Sequence, residues 1–409
     1  MVYQNLALVS GFLLFYSIFA GRFESRLING PLLYLLVGLV LGPAVLNVLA
    51  PSVTGQGMRV LAELTLAIVL FTDAANANLT VLRANNWLPL RLLSMGLPLC
   101  LLAGFGFALF LFGEEMPWLE AAILATMLAP TDAALGKAVV SNTHVPAPIR
   151  EGLNVESGLN DGICVPVLFI LLALLAPEEQ HHGTVTLALI LIAEEIGIGM
   201  VVGIGLALTT AALLRVAVRK QWSLPVWKQL IMPGLAILMF ALAQSLGGSG
   251  FIAAFVGGLV AGHLLGEHRH SYLHSNEGYG ELLSVIVWML FGSVVIINVW
   301  PFFSWKTWVY AVASLTVLRM LPVWISLLGT NLGTESRLFI GWFGPRGLAS
   351  IVFTVIVMQE VLAARPQILA TVTCTVLLSV VLHGISANPW VLHLKHSVDS
   401  LSSSKPDQA

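Results

Sequence analysis

Long apolar runs separated by short polar segments fill this chain of 409 residues. Each run is close to the length of about twenty residues that a helix needs to cross the hydrocarbon core of a membrane. The pattern predicts an all-α membrane protein with about thirteen transmembrane helices. The runs cover residues 5–21, 31–49, 58–79, 88–112, 118–136, 150–176, 184–217, 229–246, 251–266, 281–299, 305–328, 335–360 and 367–386.

The seventh run, residues 184–217, is too long for a simple perpendicular span. It predicts either a short interfacial helix followed by a span or one long tilted helix that links two halves of the protein.

Composition supports the same class of protein. Hydrophobic residues make up 57% of the chain and charged residues 10%, whereas a soluble domain carries about a quarter charged residues. A globular protein could not hide so much apolar surface, so we expect the lipid bilayer to be its solvent. Lys and Arg are too sparse and scattered to form a basic groove, which excludes nucleic acid as a partner.

Basic residues predict the orientation of the chain. When the loops are assigned alternately to two sides, one side receives only Arg59, Lys306 and Arg365, and Arg319 and Arg346 fall within spans. The other side receives Arg22, Arg26, Arg83, Arg91, Lys137, Arg150, Arg215, Arg219, Lys220, Lys228, Arg269, Arg337, Lys395 and Lys405. Because cytoplasmic loops carry an excess of Lys and Arg, we expect the N-terminus outside and the C-terminus in the cytoplasm.

Asp132 follows Pro130 in the middle of the fifth predicted span. Pro130 lacks the N–H that continues a helix, and it disturbs the preceding turn, so backbone carbonyls near Thr131 are freed at membrane depth. Carbonyl and carboxylate oxygens suit hard cations. The pattern favours a cation site, and a packing kink with a capping Asp is the alternative.

A second interrupted span lies in the other half of the chain, where Gly344, Pro345 and Gly347 surround Arg346. Two spans broken by Gly and Pro in corresponding halves indicate inverted repeats with a binding site near the membrane midplane. We therefore expect two discontinuous helices that cross.

The densest polar segment begins the sixth span. Ser157 and Asp161 are four residues apart and share one helical face, as do Glu156 and Asn160. The first face offers hydroxyl and carboxylate oxygens suited to Na⁺ or Li⁺. Glu156 needs a cationic partner, for which Arg346 is the natural candidate. The alternative is a polar patch that satisfies itself between helices.

The other charged residues and the histidines give weaker evidence for a cation or metal site. Asp73 ends the third run, where cation ligation and a carboxylate that only reaches the interface are equally compatible with the pattern. A structural role is expected for Glu63, Glu194, Glu195 and Arg319. Solvated loops, rather than metal sites, are expected for His181, His182, His268, His270 and His274.

Three motifs, in this order and spacing over about thirteen helices, resemble a known family: Pro130-Thr-Asp132, Glu156-Ser-Gly-Leu-Asn-Asp-Gly162 and Gly344-Pro-Arg-Gly347. Phe71-Thr-Asp73 and the Gly/Ala-rich segment 249–262 also match segments of that family. Together they resemble the sodium/proton antiporters of the NhaP/NHE type, the Asn-Asp branch of the cation/proton antiporter superfamily. The resemblance extends over nearly the whole chain.

The resemblance implies a homodimer with an inverted-repeat antiporter fold, in which a core bundle moves against a dimerisation scaffold. The scaffold would comprise residues 1–80 and 229–300, the core residues 81–183 and 301–392, the linker helix residues 184–228, and the cytoplasmic tail residues 393–409.

The resemblance also implies residue roles. Glu156 with Arg346 matches the family's stabilising ion pair, and Asn160 supports the site. Relatives often carry Glu in place of Asp73, and Leu in place of Gly158 and Pro345. The cation and the proton would bind at Thr131, Asp132, Ser157 and Asp161, with Asp73 as a further ligand.

Competition for a carboxylate would couple the two fluxes. An empty carboxylate resists moving through a low-dielectric gap, whereas one that holds a cation or a proton does not. Asp161 and Asp132 would therefore carry either Na⁺ (or Li⁺ or K⁺) or H⁺ across the cell membrane of a prokaryote, with no cofactor besides the transported ions. Because Asn160 cannot titrate, the expected exchange is one for one and electroneutral.

Three alternatives remain at this point. A K⁺-selective antiporter of the same superfamily fits the same residues. An intramembrane enzyme would need a metal-binding or Ser/His constellation within the spans, where the deepest histidines are His263 and His383, so we do not expect an enzyme. A passive channel would favour rings of equivalent residues in an oligomeric pore.

Overall fold

Helices make up the regular structure of this protein in a computed structural model, as the apolar runs predicted. The structure describes residues 2–24, 29–49, 55–77, 87–132, 135, 139, 142, 144–175, 184–222 and 224–403, and these residues contain no strand. We number the helices α1 Val2–Glu24, α2 Gly30–Leu41, α3 Gly55–Asn76, α4 Trp87–Glu115, α5 Trp118–Met127, α6 Ala147–Leu174, α7 Thr184–Arg219, α8 Pro225–Ser245, α9 Gly250–Leu265, α10 Arg269–Leu290, α11 Trp305–Ser326, α12 Thr334–Trp342, α13 Leu348–Val357 and α14 Arg365–Ser403.

Eight of the described helical stretches are long and apolar enough to cross a membrane. The helices α2, α5, α9 and α13 are apolar but shorter. Two of the predicted spans are interrupted: in residues 118–136, α5 is followed by described residues 128–132 that are not helical, and residues 335–360 hold α12, a break and α13. The second expected discontinuous helix is therefore present, and for the first the described residues contain the helix before the break and the break itself.

The long seventh run forms one helix. α7 extends without interruption over 36 residues, or roughly 54 Å at the rise of an α-helix. Of the two predicted arrangements, the structure has the single long helix rather than an interfacial helix followed by a span.

α10 begins earlier than the apolar pattern indicated. Its first residue is Arg269, so His270 and His274 lie on a helix and not in a loop, because the polar first turns of α10 dilute the apolar signal. The predicted loop at His181 and His182 lies outside the described residues. Among the described residues, the structure has no group of three or more His, Cys, Asp or Glu side chains that could hold a metal ion.

The chain forms two compact units. Unit 1 comprises residues 1–52, 85–157 and 288–409, and unit 2 comprises residues 53–84 and 158–287. α6 contributes its first turns to unit 1 and the remainder to unit 2. The predicted division into core, scaffold and linker assigns functions to groups of helices and stays a prediction.

In unit 1, α14 packs against α11, α12 and α13, and α4 packs against α5. One part of the core is an aromatic cluster in which the ring of Trp390 on α14 lies against Phe339 and Phe343. This cluster holds α14 beside the second helix break.

In unit 2, α9 packs against α3 and α7. A methyl group added at Gly262 would meet the backbone of Ala75. The close approach of α9 and α3 therefore requires a residue without a side chain at this position, which accounts for part of the Gly/Ala-rich segment 249–262.

Candidate functional site

The first break follows α5, which ends at Met127. Pro130 cannot donate a helical hydrogen bond, and the residue before a proline is biased toward extended conformations. The freed backbone finds a partner elsewhere: the N–H of Asp132 donates to the carbonyl of Pro345, with 2.8 Å between the two atoms. One break is thus hydrogen-bonded directly to the other.

The second break begins with an inverse γ-turn at Phe343, whose backbone angles are φ −79° and ψ 61°. The N–H of Gly344 donates to the carbonyl of Trp342 across this turn, at 2.8 Å. Pro345 then prevents the helix from resuming, and α13 starts only at Leu348.

Asp132 caps the helix that follows the second break. Its Oδ2 accepts a hydrogen bond from the N–H of Leu348, the first residue of α13, at 2.8 Å. A helix N-terminus stabilises a negative charge. A Cβ at Gly347 would overlap the Asp132 carboxylate, so glycine provides the space for this contact.

The capping role named as the alternative for Asp132 is therefore present: its Oδ2 caps α13, and its Oδ1 accepts from the N–H of Leu135, three residues later, at 3.4 Å. Capping does not exclude cation binding, because an ionised carboxylate has about four acceptor sites on its two oxygens.

The carbonyls freed by Pro130 already accept hydrogen bonds. Arg346 Nη1 donates to the carbonyls of Ala129 and Pro130, at 2.9 and 3.2 Å. Ser157 Oγ donates to the carbonyl of Thr131, at 2.7 Å. Each carbonyl oxygen has a second lone pair. The structure thus brings Ser157 to Thr131, the neighbour of Asp132, and the predicted role of these residues as cation ligands stays a prediction.

The partner of Glu156 is Arg319, which corrects the predicted pairing with Arg346. Arg319 Nη1 lies 2.6 Å from Glu156 Oε1, and Arg319 Nη2 donates to Glu156 Oε2 at 2.8 Å. Both side chains are almost fully buried. A Cβ at Gly344 would meet the Arg319 guanidinium, so this glycine leaves room for the arginine that completes the pair.

In unit 2, α6 continues with Asn160 and Asp161, both of which are buried. Asp73 on α3 is half-buried and faces α6 at Gly158, where an added Cβ would lie 3.2 Å from the Asp73 Cβ. Glycine at position 158 therefore makes room beside Asp73. The predicted ligand roles of Asp73 and Asp161 stay predictions.

The residues expected to be structural behave in different ways. Glu63 pairs with Arg59 one turn earlier on α3, at 2.6 Å. On α7, Glu194 is exposed and Glu195 is half-buried. Arg319, which the sequence interpretation left without a partner, neutralises Glu156 and so belongs to the site's support.

The sequence analysis missed Glu120, a buried carboxylate in the first turn of α5. Its Oε1 and Oε2 accept hydrogen bonds from the N–H groups of Ala363 and Ala364, at 2.8 and 2.7 Å. These residues immediately precede α14, so Glu120 caps that helix. An acidic residue inside an apolar run was the available signal.

Comparisons with known proteins agree with this architecture. A family model described as "Sodium/hydrogen exchanger, transmembrane" matches residues 9–393. The K⁺/H⁺ antiporter NhaP2 of Shewanella sp. (strain ANA-3) is 24% identical over 330 residues, covering 79% of this chain and 55% of the relative. The low-affinity Na⁺/H⁺ antiporter NhaS1 of Synechocystis sp. is 26% identical over 343 residues, covering 79% of this chain and 62% of the relative.

The chain thus spans about half the length of the first of these relatives. The solved structure of the sodium proton antiporter MjNhaP1 from Methanocaldococcus jannaschii covers 96% of this chain with a TM-score of 0.77 at 20% identity, and 99% of that structure is matched. This likeness confirms the predicted antiporter fold. The family match over most of the chain confirms the resemblance, and the chain belongs to the transmembrane sodium/hydrogen exchanger family.

Proposed function

We propose that this protein exchanges a monovalent cation, Na⁺ in the first instance, for a proton across a membrane by alternating access. The observation that carries the proposal is the crossing of two helix breaks at Asp132, where a carboxylate, a serine hydroxyl and several backbone carbonyls meet. These are the oxygen donors that alkali cations require.

In this proposal cation and proton compete for the carboxylates of Asp161 and Asp132. The Thr131 carbonyl, the Ser157 hydroxyl and Asp73 supply further oxygen ligands, and Asn160 supports the site. Glu156 stays out of the exchange because the guanidinium of Arg319 engages both of its oxygens. Arg346 holds the carbonyls of the first break in place.

A K⁺/H⁺ antiporter is the second candidate, since the relatives named NhaP2 and NhaP are K⁺/H⁺ antiporters. Na⁺ and K⁺ use the same kinds of ligand and differ in the size of the cage they fit. Parallel titrations with Na⁺, Li⁺ and K⁺ separate the two candidates by their apparent affinities.

The proposal extends to the assembly and its setting. The protein would act as a homodimer in the cell membrane of a prokaryote, with its N-terminus outside and its C-terminus in the cytoplasm. It would need no cofactor. The core would comprise residues 81–183 and 301–392, the scaffold residues 1–80 and 229–300, the linker residues 184–228 and the cytoplasmic tail residues 393–409.

The test uses the purified protein in liposomes with an imposed pH gradient. Added cation should drive protons uphill, which neither a passive channel nor an enzyme can do. Dissipation of the gradient without uphill movement would indicate a channel, and no cation-dependent proton flux with any of the three cations would contradict the proposal.

A further inference from the structure

α14 presents polar side chains to the second helix break. Ser379, His383 and Ser386 follow one another at intervals of one turn, and each contacts the segment that begins at Trp342. Ser379 and His383 are fully buried. Burial of a histidine in a membrane helix costs free energy, so such a residue marks a candidate functional site. The exchange proposed above uses neither Ser379 nor His383.

The two side chains satisfy backbone groups that the break leaves without helical partners. The N–H of Arg346 donates to Ser379 Oγ at 2.7 Å. His383 Nε2 lies 2.8 Å from the carbonyl of Trp342, the last residue of α12. Because buried backbone groups must be paired, α14 stabilises the break at both its start and its middle.

Both ring nitrogens of His383 face carbonyl oxygens. Nε2 lies 2.8 Å from the Trp342 carbonyl, and Nδ1 lies 2.9 Å from the Ser379 carbonyl in its own helix and 3.2 Å from Ser379 Oγ. A carbonyl only accepts, so a proton on Nε2 joins His383 to the break at Trp342, whereas a proton on Nδ1 joins it to its own helix. The contact with the break therefore uses the proton on Nε2.

We propose that Ser379 and His383 are positioning residues that hold the second break in the shape needed to bind the cation. The segment they fix carries Arg346, which holds the carbonyls of Ala129 and Pro130, and Pro345, whose carbonyl accepts from Asp132. A change in the shape of the second break would therefore displace the oxygen ligands of the first break. This inference rests on the cation/proton exchange proposed above.

The test compares His383→Leu, His383→Gln and His383→Asn in proteoliposomes. The glutamine amide places an N–H donor near the position of Nε2, whereas the asparagine amide reaches only the position of Nδ1. We expect Leu and Asn to raise the apparent KM for the cation about tenfold, the effect of about one lost hydrogen bond, with a smaller change in the maximal rate. Gln should restore most of the affinity.

Ser379→Ala removes the other contact and keeps the test valid if a His383 variant does not fold. Thr375→Val is the matched control, because Thr375 is fully buried on the same helix and its hydroxyl donates to the Thr371 carbonyl within α14. This control should exchange like the unmodified protein.

Hydrogen–deuterium exchange provides a measurement that does not depend on transport. The amides of Gly344, Arg346 and Leu348 are hydrogen-bonded in the structure. Peptides covering the break should exchange faster in His383→Leu and Ser379→Ala than in Thr375→Val. If the unmodified protein moves no cation, the proposed function fails, and this measurement alone decides whether α14 holds the break.

Three outcomes would overturn the inference: equal exchange protection in all variants, an unchanged KM in His383→Leu, or restoration by Asn as complete as by Gln. The first two would mean that α14 does not determine the shape of the break. The third would place the functional contact at Nδ1, inside α14.

Discussion

At the scale of single residues, the carboxylates of Glu120, Asp132 and Glu156 in unit 1 contact partners far away in the sequence. Glu120 and Asp132 accept from N–H groups that precede or begin helices, and Glu156 pairs with a guanidinium. A charge at membrane depth costs at least about 2.5–3.5 kcal/mol on insertion scales. Glu120 and Asp132 reduce that cost by capping helices, and Glu156 reduces it by pairing with Arg319. Helix capping and cation transport can therefore be tested separately.

Asp161→Asn and Asp132→Asn are each expected to abolish cation-dependent proton movement without unfolding the protein. An amide matches the carboxylate in shape but can neither release a proton nor balance a cation. At position 132 the amide oxygen can still accept from the Leu348 N–H, so the helix cap is preserved. Proteoliposome exchange together with the thermal midpoint checks both statements.

Glu120→Gln is the matched control, because it neutralises a buried carboxylate whose described contacts are with the N–H groups of Ala363 and Ala364. It should retain exchange. Near-normal exchange by Asp161→Asn would exclude that residue as the carrier.

Breaking the pair of Glu156 and Arg319 should mainly lower stability. Removing one partner leaves a buried charge unpaired, at a cost of about 3–5 kcal/mol, and the double variant should lose less than the sum of the two single variants. The measurement is a double-mutant cycle of unfolding free energies in detergent.

Two comparisons make this cycle specific. Glu156→Ala with Arg346→Ala should show a smaller coupling than Glu156→Ala with Arg319→Ala, because Arg319 forms the described pair. Glu115→Ala should cost at most about 1 kcal/mol, since the Glu115 side chain, which pairs with Lys306 at 2.8 Å, is 57% exposed and such ion pairs contribute little. Additive losses at Glu156 and Arg319 would contradict the pairing.

At the scale of elements, the breaks could be predicted because Pro and Gly act locally. Pro130 and the Gly344–Gly347 motif interrupt their helices where the sequence indicated. The choice between Arg319 and Arg346 as partner of Glu156 could not be predicted, because it depends on how α11 and the second break are rotated about α6. Glu120 was missed for a related reason: its hydrogen-bond partners lie at the start of α14, which is distant in the sequence.

Gly347→Ala should disturb the second break. The added methyl group would occupy the position of the Asp132 carboxylate, so the Leu348 contact must lengthen or the backbone must move. Overpacking of this kind costs about 1–3 kcal/mol, and we expect a lower thermal midpoint and weaker cation affinity. The control is Gly234→Ala on α8, where an added Cβ meets nothing within 4 Å. Unchanged affinity in Gly347→Ala would mean that the Asp132 cap is dispensable for transport.

At the scale of the whole molecule, the charge count predicts electroneutral exchange. Asn160 cannot titrate, and the Arg319 guanidinium engages both oxygens of Glu156. If Asp132 and Asp161 behave as one coupled pair that shares a proton, one positive charge moves in each direction per turnover. The equilibrium position should then not respond to an imposed membrane potential.

The measurement uses proteoliposomes at fixed pH and cation gradients, with potentials of either sign. A current on a supported membrane that continues beyond the first turnover would show that more than one proton moves per cation. It would also show that a further group titrates.

The caps provided by Asp132 and Glu120 also constrain how the protein is made. Both carboxylates leave the ribosome long before Leu348, Ala363 and Ala364 are synthesised. A nascent chain that ends before α13 cannot offer these N–H donors to the first broken helix. The hydrogen bonds that connect the two breaks can therefore form only once the last third of the chain has been synthesised.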